Sequence, residues 1–90
     1  MLSLTDCIDL SDLSPDEIAV IAEHERVPDI VAAELGSRLI QTPDGRMVLK
    51  HFIQDNLRHA RARHLEEKAS ELAHLLSAFD RAHPTRRHTA

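Results

Sequence analysis

Apolar residues recur along most of this chain at the three- and four-residue spacing of amphipathic helices. In Ser14-Pro15-Asp16-Glu17, Ser14 can accept a hydrogen bond from the first turn of a helix, Pro15 suits its first position and Glu17 completes a capping box. Leu13 before the cap and Ile18 within the helix are spaced as a hydrophobic staple. The pattern predicts a helix to about Glu25 that buries Ile18, Ile21 and Ala22. Val27-Pro28 interrupts it, because a residue before proline is pushed toward extended geometry. A second helix from Pro28 to about Ile40 would bury Val31, Leu35 and Leu39. Within it, Ala32 and Gly36 form a small-residue stripe that another helix could approach closely, although Gly36 could equally end the helix. Thr42-Pro43-Asp44-Gly45 reads as a turn or a capped restart. Upstream, Leu4, Cys7 and Ile8 lie at helical spacing with Ser3 or Thr5 as caps, favouring a short N-terminal helix over Leu2 to Leu13 rather than a strand.

From Arg46 to Ala82 there is neither proline nor glycine. The apolar phase nevertheless argues against one continuous helix. At 100° per residue, Leu49, Phe52, Ile53, Leu57 and Ala60 centre near about 240°, whereas Leu65, Ala69, Leu72, Leu76 and Phe79 centre near about 15°. One straight helix cannot turn both stripes toward the same neighbour. A break between Arg61 and Leu65 is expected, giving an antiparallel pair over 46–61 and 65–82. The competing arrangement is a continuous helix whose two ends bury against different partners. The spacing from Leu65 through Phe79 is a heptad seam too short for a coiled coil but suited to a bundle. Together these elements predict an all-α fold, a bundle of three main helices or four with the short N-terminal helix in addition, ending in a helical hairpin. A single domain over 1–83 and a mobile basic tail over 84–90 complete the expectation.

Composition narrows the class. The chain has 90 residues, 42% of them hydrophobic, with two Phe and no Trp or Tyr, so its core must be aliphatic. Cores of this size are marginal, and scarce aromatics remove the largest burying side chains. Self-association would supply the missing buried surface, so a homodimer or larger homo-oligomer is expected. One cysteine cannot form an internal disulfide. No apolar run reaches the roughly 18 residues of a membrane span, and the N-terminus lacks signal-peptide character, so a soluble cytoplasmic protein without membrane contact is expected.

The net charge of −4 hides a division. Residues 1–45 carry ten acids and two bases, whereas residues 46–90 carry nine bases, five acids and six of the seven histidines. Such halves favour packing on one another within a chain or between antiparallel chains, although exposed pairs contribute only about 0–1 kcal/mol each.

These patterns bear on three kinds of chemistry. Ile18 to Leu35 has the size of a helix-turn-helix, but Pro28-Asp29-Ile30-Val31-Ala32-Ala33-Glu34 offers no side chain for base edges and two acids that phosphates repel. Nucleic acid is therefore disfavoured as a partner; weak association through the arginines of the second half would lack stacking platforms. Glu71-Leu72-Ala73-His74 has the Glu-x-x-His spacing found in di-iron bundles, but it occurs once, so a metal site at Glu71 and His74 would have to be completed by dimerisation. Glu23-His24-Glu25 and the row His51, Asp55, His59 supply further ligand types; the row sits about 140° from the apolar centre of its helix and reads as a solvated face. Cys7 lies among Asp6, Asp9 and Asp12, which disfavour its thiolate. No nucleophile elbow or phosphate loop is present, no enzyme class is favoured and no cofactor is implied.

The stretches Leu4-Thr5-Asp6-Cys7, Leu13-Ser14-Pro15-Asp16-Glu17-Ile18, Ile21-Ala22-Glu23-His24-Glu25 and Pro28 to Gly36 resemble a group of short proteobacterial helical proteins with no assigned function. The resemblance covers mainly the first half and implies a bacterial cytosolic helical protein, with no activity or ligand attached. The expectation is a non-catalytic interaction or self-association module, with Val31, Ala32, Leu35, Gly36, Leu72, Leu76 and Phe79 as interface candidates and an unidentified protein as a further partner. The alternative is a Glu/His metal-binding bundle completed by dimerisation.

Overall fold

A computed structural model describes residues 13–83 as four helices with no strand among them. The predicted helix over Leu2 to Leu13, Cys7 and the tail 84–90 lie outside the described residues, apart from Leu13, which precedes the first helix.

Helix α1 spans Pro15–Glu25 and begins as its sequence dictates. The Ser14 backbone N–H donates to Glu17 Oε1 at 2.9 Å, and the Glu17 N–H donates to Ser14 Oγ at 3.2 Å, closing the capping box. Ile18, Val20 and Ile21 are buried, whereas Ala22 is only half-buried. The helix ends at Arg26 in the left-handed region, with φ 58 and ψ 50, and Pro28 then precedes α2, Asp29–Leu39.

Helix α2 corrects the expected face. Its buried residues are the small ones, Ala32, Ala33 and Gly36, while Val31 is exposed and Leu35 and Leu39 are half-buried. The cause is the closeness of approach. A Cβ on Gly36 would lie inside van der Waals contact with Leu13 Cδ1 and 2.8 Å from Ile21 Cδ1. A larger residue at position 36 would have to displace Leu13 and Ile21, and the larger apolar residues of α2 lie toward its flank. Gly36 is thus a packing position inside the helix and not its terminator.

Thr42 restarts the chain as a capped helix. Its Oγ1 accepts from the Gly45 N–H at 2.9 Å, and Pro43 begins α3, Pro43–Ala62. Gly45 is required by proximity, because a Cβ there would meet the backbone of Leu39, 2.6 Å from its carbonyl carbon. Arg46 Nη1 donates to the Ile40 carbonyl oxygen at 2.9 Å and satisfies the end of α2. Helix α3 starts three residues before the sequence-based boundary and buries Leu49, Ile53, Leu57 and Ala60, with Phe52 half-buried.

The expected break after Arg61 is present. His64 takes φ 59, the Leu65 N–H donates to the Ala60 carbonyl at 2.9 Å, and α4 follows over Glu66–Ala82. Lys50 Nζ lies 3.0 Å from Asp80 Oδ1, joining the start of α3 to the end of α4 in an antiparallel hairpin. Leu72 and Phe79 are buried and Ala69 and Leu76 half-buried, in the predicted phase. Leu65 departs from it at 45% exposure, because it is the residue before α4, with φ −88 and ψ 80, and does not share the helical phase. Helices α1, α2 and α3 pack mutually, and α4 packs chiefly on α3. One aliphatic core joins them, with Ile18, Ile21 and Phe79 as its largest fully buried side chains. None of the helices is long and apolar enough to cross a membrane among the described residues.

Candidate functional site

The flank of α2 is the outstanding apolar surface. On an ideal helix, Ala33, Gly36, Ala32, Leu39, Leu35 and Val31 form a continuous apolar arc of about 200°, roughly twice what one core-facing stripe needs. Internal packing consumes the small-residue half. The other half runs outward from half-buried Leu39 and Leu35 to exposed Val31. Ile30, on the opposite edge, is also exposed, and each of the pair is 41% accessible. Met47 and Val48 near the start of α3 are exposed to 39%. An isolated exposed aliphatic residue needs no explanation, but Val31 continues an apolar arc that runs without a break from the core through half-buried Leu39 and Leu35 to the surface.

The interface candidates divide accordingly. Ala32, Gly36, Leu72 and Phe79 are buried in the chain's own core and are not free for a partner. Leu35 and Leu76 are half-buried, and Val31 is exposed. Ile30, Met47 and Val48 were missed as surface candidates, because linear spacing marks apolar phase but does not say which part of a wide arc the fold uses.

Glu71 and His74 are both exposed on α4. No group of three or more His, Cys, Asp or Glu side chains that could hold a metal ion occurs among the described residues. The Glu-x-x-His spacing is therefore present without a third ligand beside it. Of the row on α3, His51 and His59 face outward, but Asp55 does not belong to an idle solvated face.

Asp55 instead meets His24. The His24 ring lies on Phe52 with centroids 4.1 Å apart and planes at 21°. Its Nε2 is 3.1 Å from Asp55 Oδ2 and its Nδ1 is 2.9 Å from Glu25 Oε2. Arg58, one turn along α3, pairs with the other oxygen of Asp55. No family model, curated protein or solved structure matches the chain.

Burial of His24 opposes its positive charge, but the hydrogen bonds to Asp55 and Glu25, with the charges of both carboxylates, outweigh it and raise the imidazole pKa above 6.5. Hydrogen bonds from His24 and Arg58, with the charges of both, lower the Asp55 pKa below 3.8 against the opposing effect of burial. This cluster clamps α1 to α3. With its carboxylates occupied by His24 and Arg58, it has the character of a structural tie and not of an acid–base pair poised for substrate. Glu23-His24-Glu25 had signalled ligand-type side chains; its pairing with Asp55 across the fold could not be read from either segment alone.

Proposed function

We propose that this chain is a non-catalytic helical interaction module that self-associates through the apolar flank of α2. The observation that carries the reading is the division of α2, whose small residues seal the core while Val31 and Leu35 extend the same apolar arc to the surface. A small core lacking Trp and Tyr supplies the energetic motive, since covering exposed aliphatic area stabilises at about 25 cal/mol per Å² before the costs of association. The same flank would serve a different protein partner by the same chemistry. A bacterial cytoplasmic setting belongs to this reading and rests on the sequence resemblance.

Sedimentation of the full chain from low to high micromolar concentration tests it. The expected result is a concentration-dependent dimer, lost in Val31→Asp while the monomer's helical content is retained. A strict monomer at high micromolar concentration removes self-association. A dimer unaffected by Val31→Asp removes the α2 flank as its site.

A further inference from the structure

Three helix ends meet around a cleft of about 340 Å³ that the interaction surface on α2 does not use. Arg26 lines it from the end of α1, Arg63 from the end of α3, and Leu65 and Lys68 from the beginning of α4. Two carboxylates also line the cleft, and both are already matched. Glu23 receives Lys68 Nζ at 2.6 Å, and Asp55 receives His24 and Arg58. Three further basic residues, Arg26, His59 and Arg63, line it with no hydrogen bond or ion pair to another side chain among the described residues. The cleft therefore has an excess of cationic groups within a chain of net charge −4.

The backbone provides a second observation. Arg26 and His64 are the non-glycine residues with positive φ among those described, at 58 and 59. Arg26 lines the cleft, and His64 sits between its lining residues Arg63 and Leu65. Glycine adopts this conformation without steric cost and is the usual occupant after a helix. Strained residues of this kind persist where something else requires them. Basic side chains near helix C-termini do complement the negative end of the helix dipole. That accounts for Arg26 at the end of α1 and for His59 and Arg63 at the end of α3, but not for the convergence of the two ends on one cleft whose carboxylates are already paired.

We propose that this cleft binds a small organic oxyanion, with a carboxylate or phosphate head held by Arg26, His59 and Arg63 and an aliphatic body against Ala60 and Leu65. Guanidinium groups match either head through paired N–H donors. Leu65, 45% exposed, is with Ala60 the apolar part of the lining and gives the ligand's aliphatic body a surface to cover. The volume lies at the lower end of small-molecule sites, which run from about 300 to 1,000 Å³. The proposal does not rest on the α2 interface.

Amide NMR of the full chain, titrated at pH 7 and constant ionic strength with hexanoate, hexyl phosphate, acetate and inorganic phosphate, tests it. Hexanoate or hexyl phosphate should give saturable shifts at Arg26, Arg63 and Leu65, and the stronger of the two identifies the head group. Acetate and inorganic phosphate should bind on the order of tenfold more weakly. Arg26→Gly should reduce affinity at least about tenfold while leaving the melting temperature equal or higher, because it relieves the positive-φ strain. Arg63→Gln should weaken binding without that relief. The absence of saturable shifts up to about 10 mM with both aliphatic probes overturns the site. So do shifts unchanged in both variants, and so does a lower melting temperature for Arg26→Gly, which would make Arg26 a structural cap.

Discussion

His24 Nε2 lies 3.1 Å from Asp55 Oδ2, joining α1 to α3, while His24 Nδ1 lies 2.9 Å from Glu25 Oε2. Ionised carboxylates only accept hydrogen bonds, and a neutral imidazole has a single N–H. Both contacts are satisfied together only when the ring is an imidazolium. The geometry thus explains why the His24 pKa is raised above 6.5 despite partial burial.

The linked stability has a defined pH window. For His24, whose folded pKa is raised, the contribution is complete below 6.5 and is lost as pH rises through the folded value. For Asp55, whose pKa is lowered, it is present above 3.8 and is lost as pH falls through the folded value. The clamp should therefore be strongest between those two ordinary values. Urea unfolding should show a wild-type advantage over His24→Gln near pH 5 that shrinks by pH 9, and the difference should be small because the pair is partly exposed. An equal difference at both pH values would show that the contacts do not depend on protonation.

The two glycines should respond differently to alanine. At Gly45 the new methyl would meet Leu39 backbone, which cannot rotate away. Gly45→Ala should cost about 1–3 kcal/mol, the usual range for overpacking. At Gly36 the obstacles are the ends of the Leu13 and Ile21 side chains, which can shift, and alanine gains about 1 kcal/mol of helix propensity. Gly36→Ala should therefore be the milder change in denaturant midpoints, and the reverse order would contradict the packing of α2 described above.

These contrasts show which parts of the structure were legible in the sequence. Patterns within contiguous sequence carried furthest: the Ser14–Glu17 box depends on residues a few positions apart, and the break after Arg61 on the phases of two successive apolar stripes. The buried face of α2 was legible only in part, through the close approach signalled by Ala32 and Gly36. Its large aliphatic residues looked like the core, whereas the buried residues are Ala32, Ala33 and Gly36, the last in close approach to Leu13 and Ile21. His24 and Asp55 are 31 positions apart, and neither segment's periodicity encodes their meeting. Opposed charge halves did anticipate a pair such as Glu23 with Lys68, but not its location.

The α3–α4 turn contains a conformation that its residue does not favour. His64 has φ 59, and the Leu65 N–H reaches back to the Ala60 carbonyl. Left-handed geometry costs an ordinary L-residue roughly 1–2 kcal/mol, part of which glycine returns through its greater freedom in the unfolded chain. His64→Gly should raise stability by up to about 1 kcal/mol, read as a higher melting temperature with unchanged helical content. A loss of stability would mean that the His64 side chain supports the turn.

Phe79 and Val31 provide the opposite extremes of apolar exposure. Phe79 is 1% exposed, and its ring tilts against His83 with centroids 4.9 Å apart, whereas Val31 is 41% exposed. Truncating a buried aromatic residue leaves a cavity in a core that has few large side chains to collapse into it, so Phe79→Ala should cost about 3–5 kcal/mol. In a domain of this length, with a total stability of about 5–13 kcal/mol, that removes a large share of the stability. Val31→Ala removes area that water already reaches and should change monomer stability by no more than about 0.5 kcal/mol. At concentrations where the chain self-associates, however, the same substitution should lower the melting temperature, because it trims the surface assigned to the partner. Comparing melts at low and high micromolar concentration separates the two effects: a Val31→Ala deficit that appears only at high concentration places the residue at the interface, and an equal deficit at both places it in the fold.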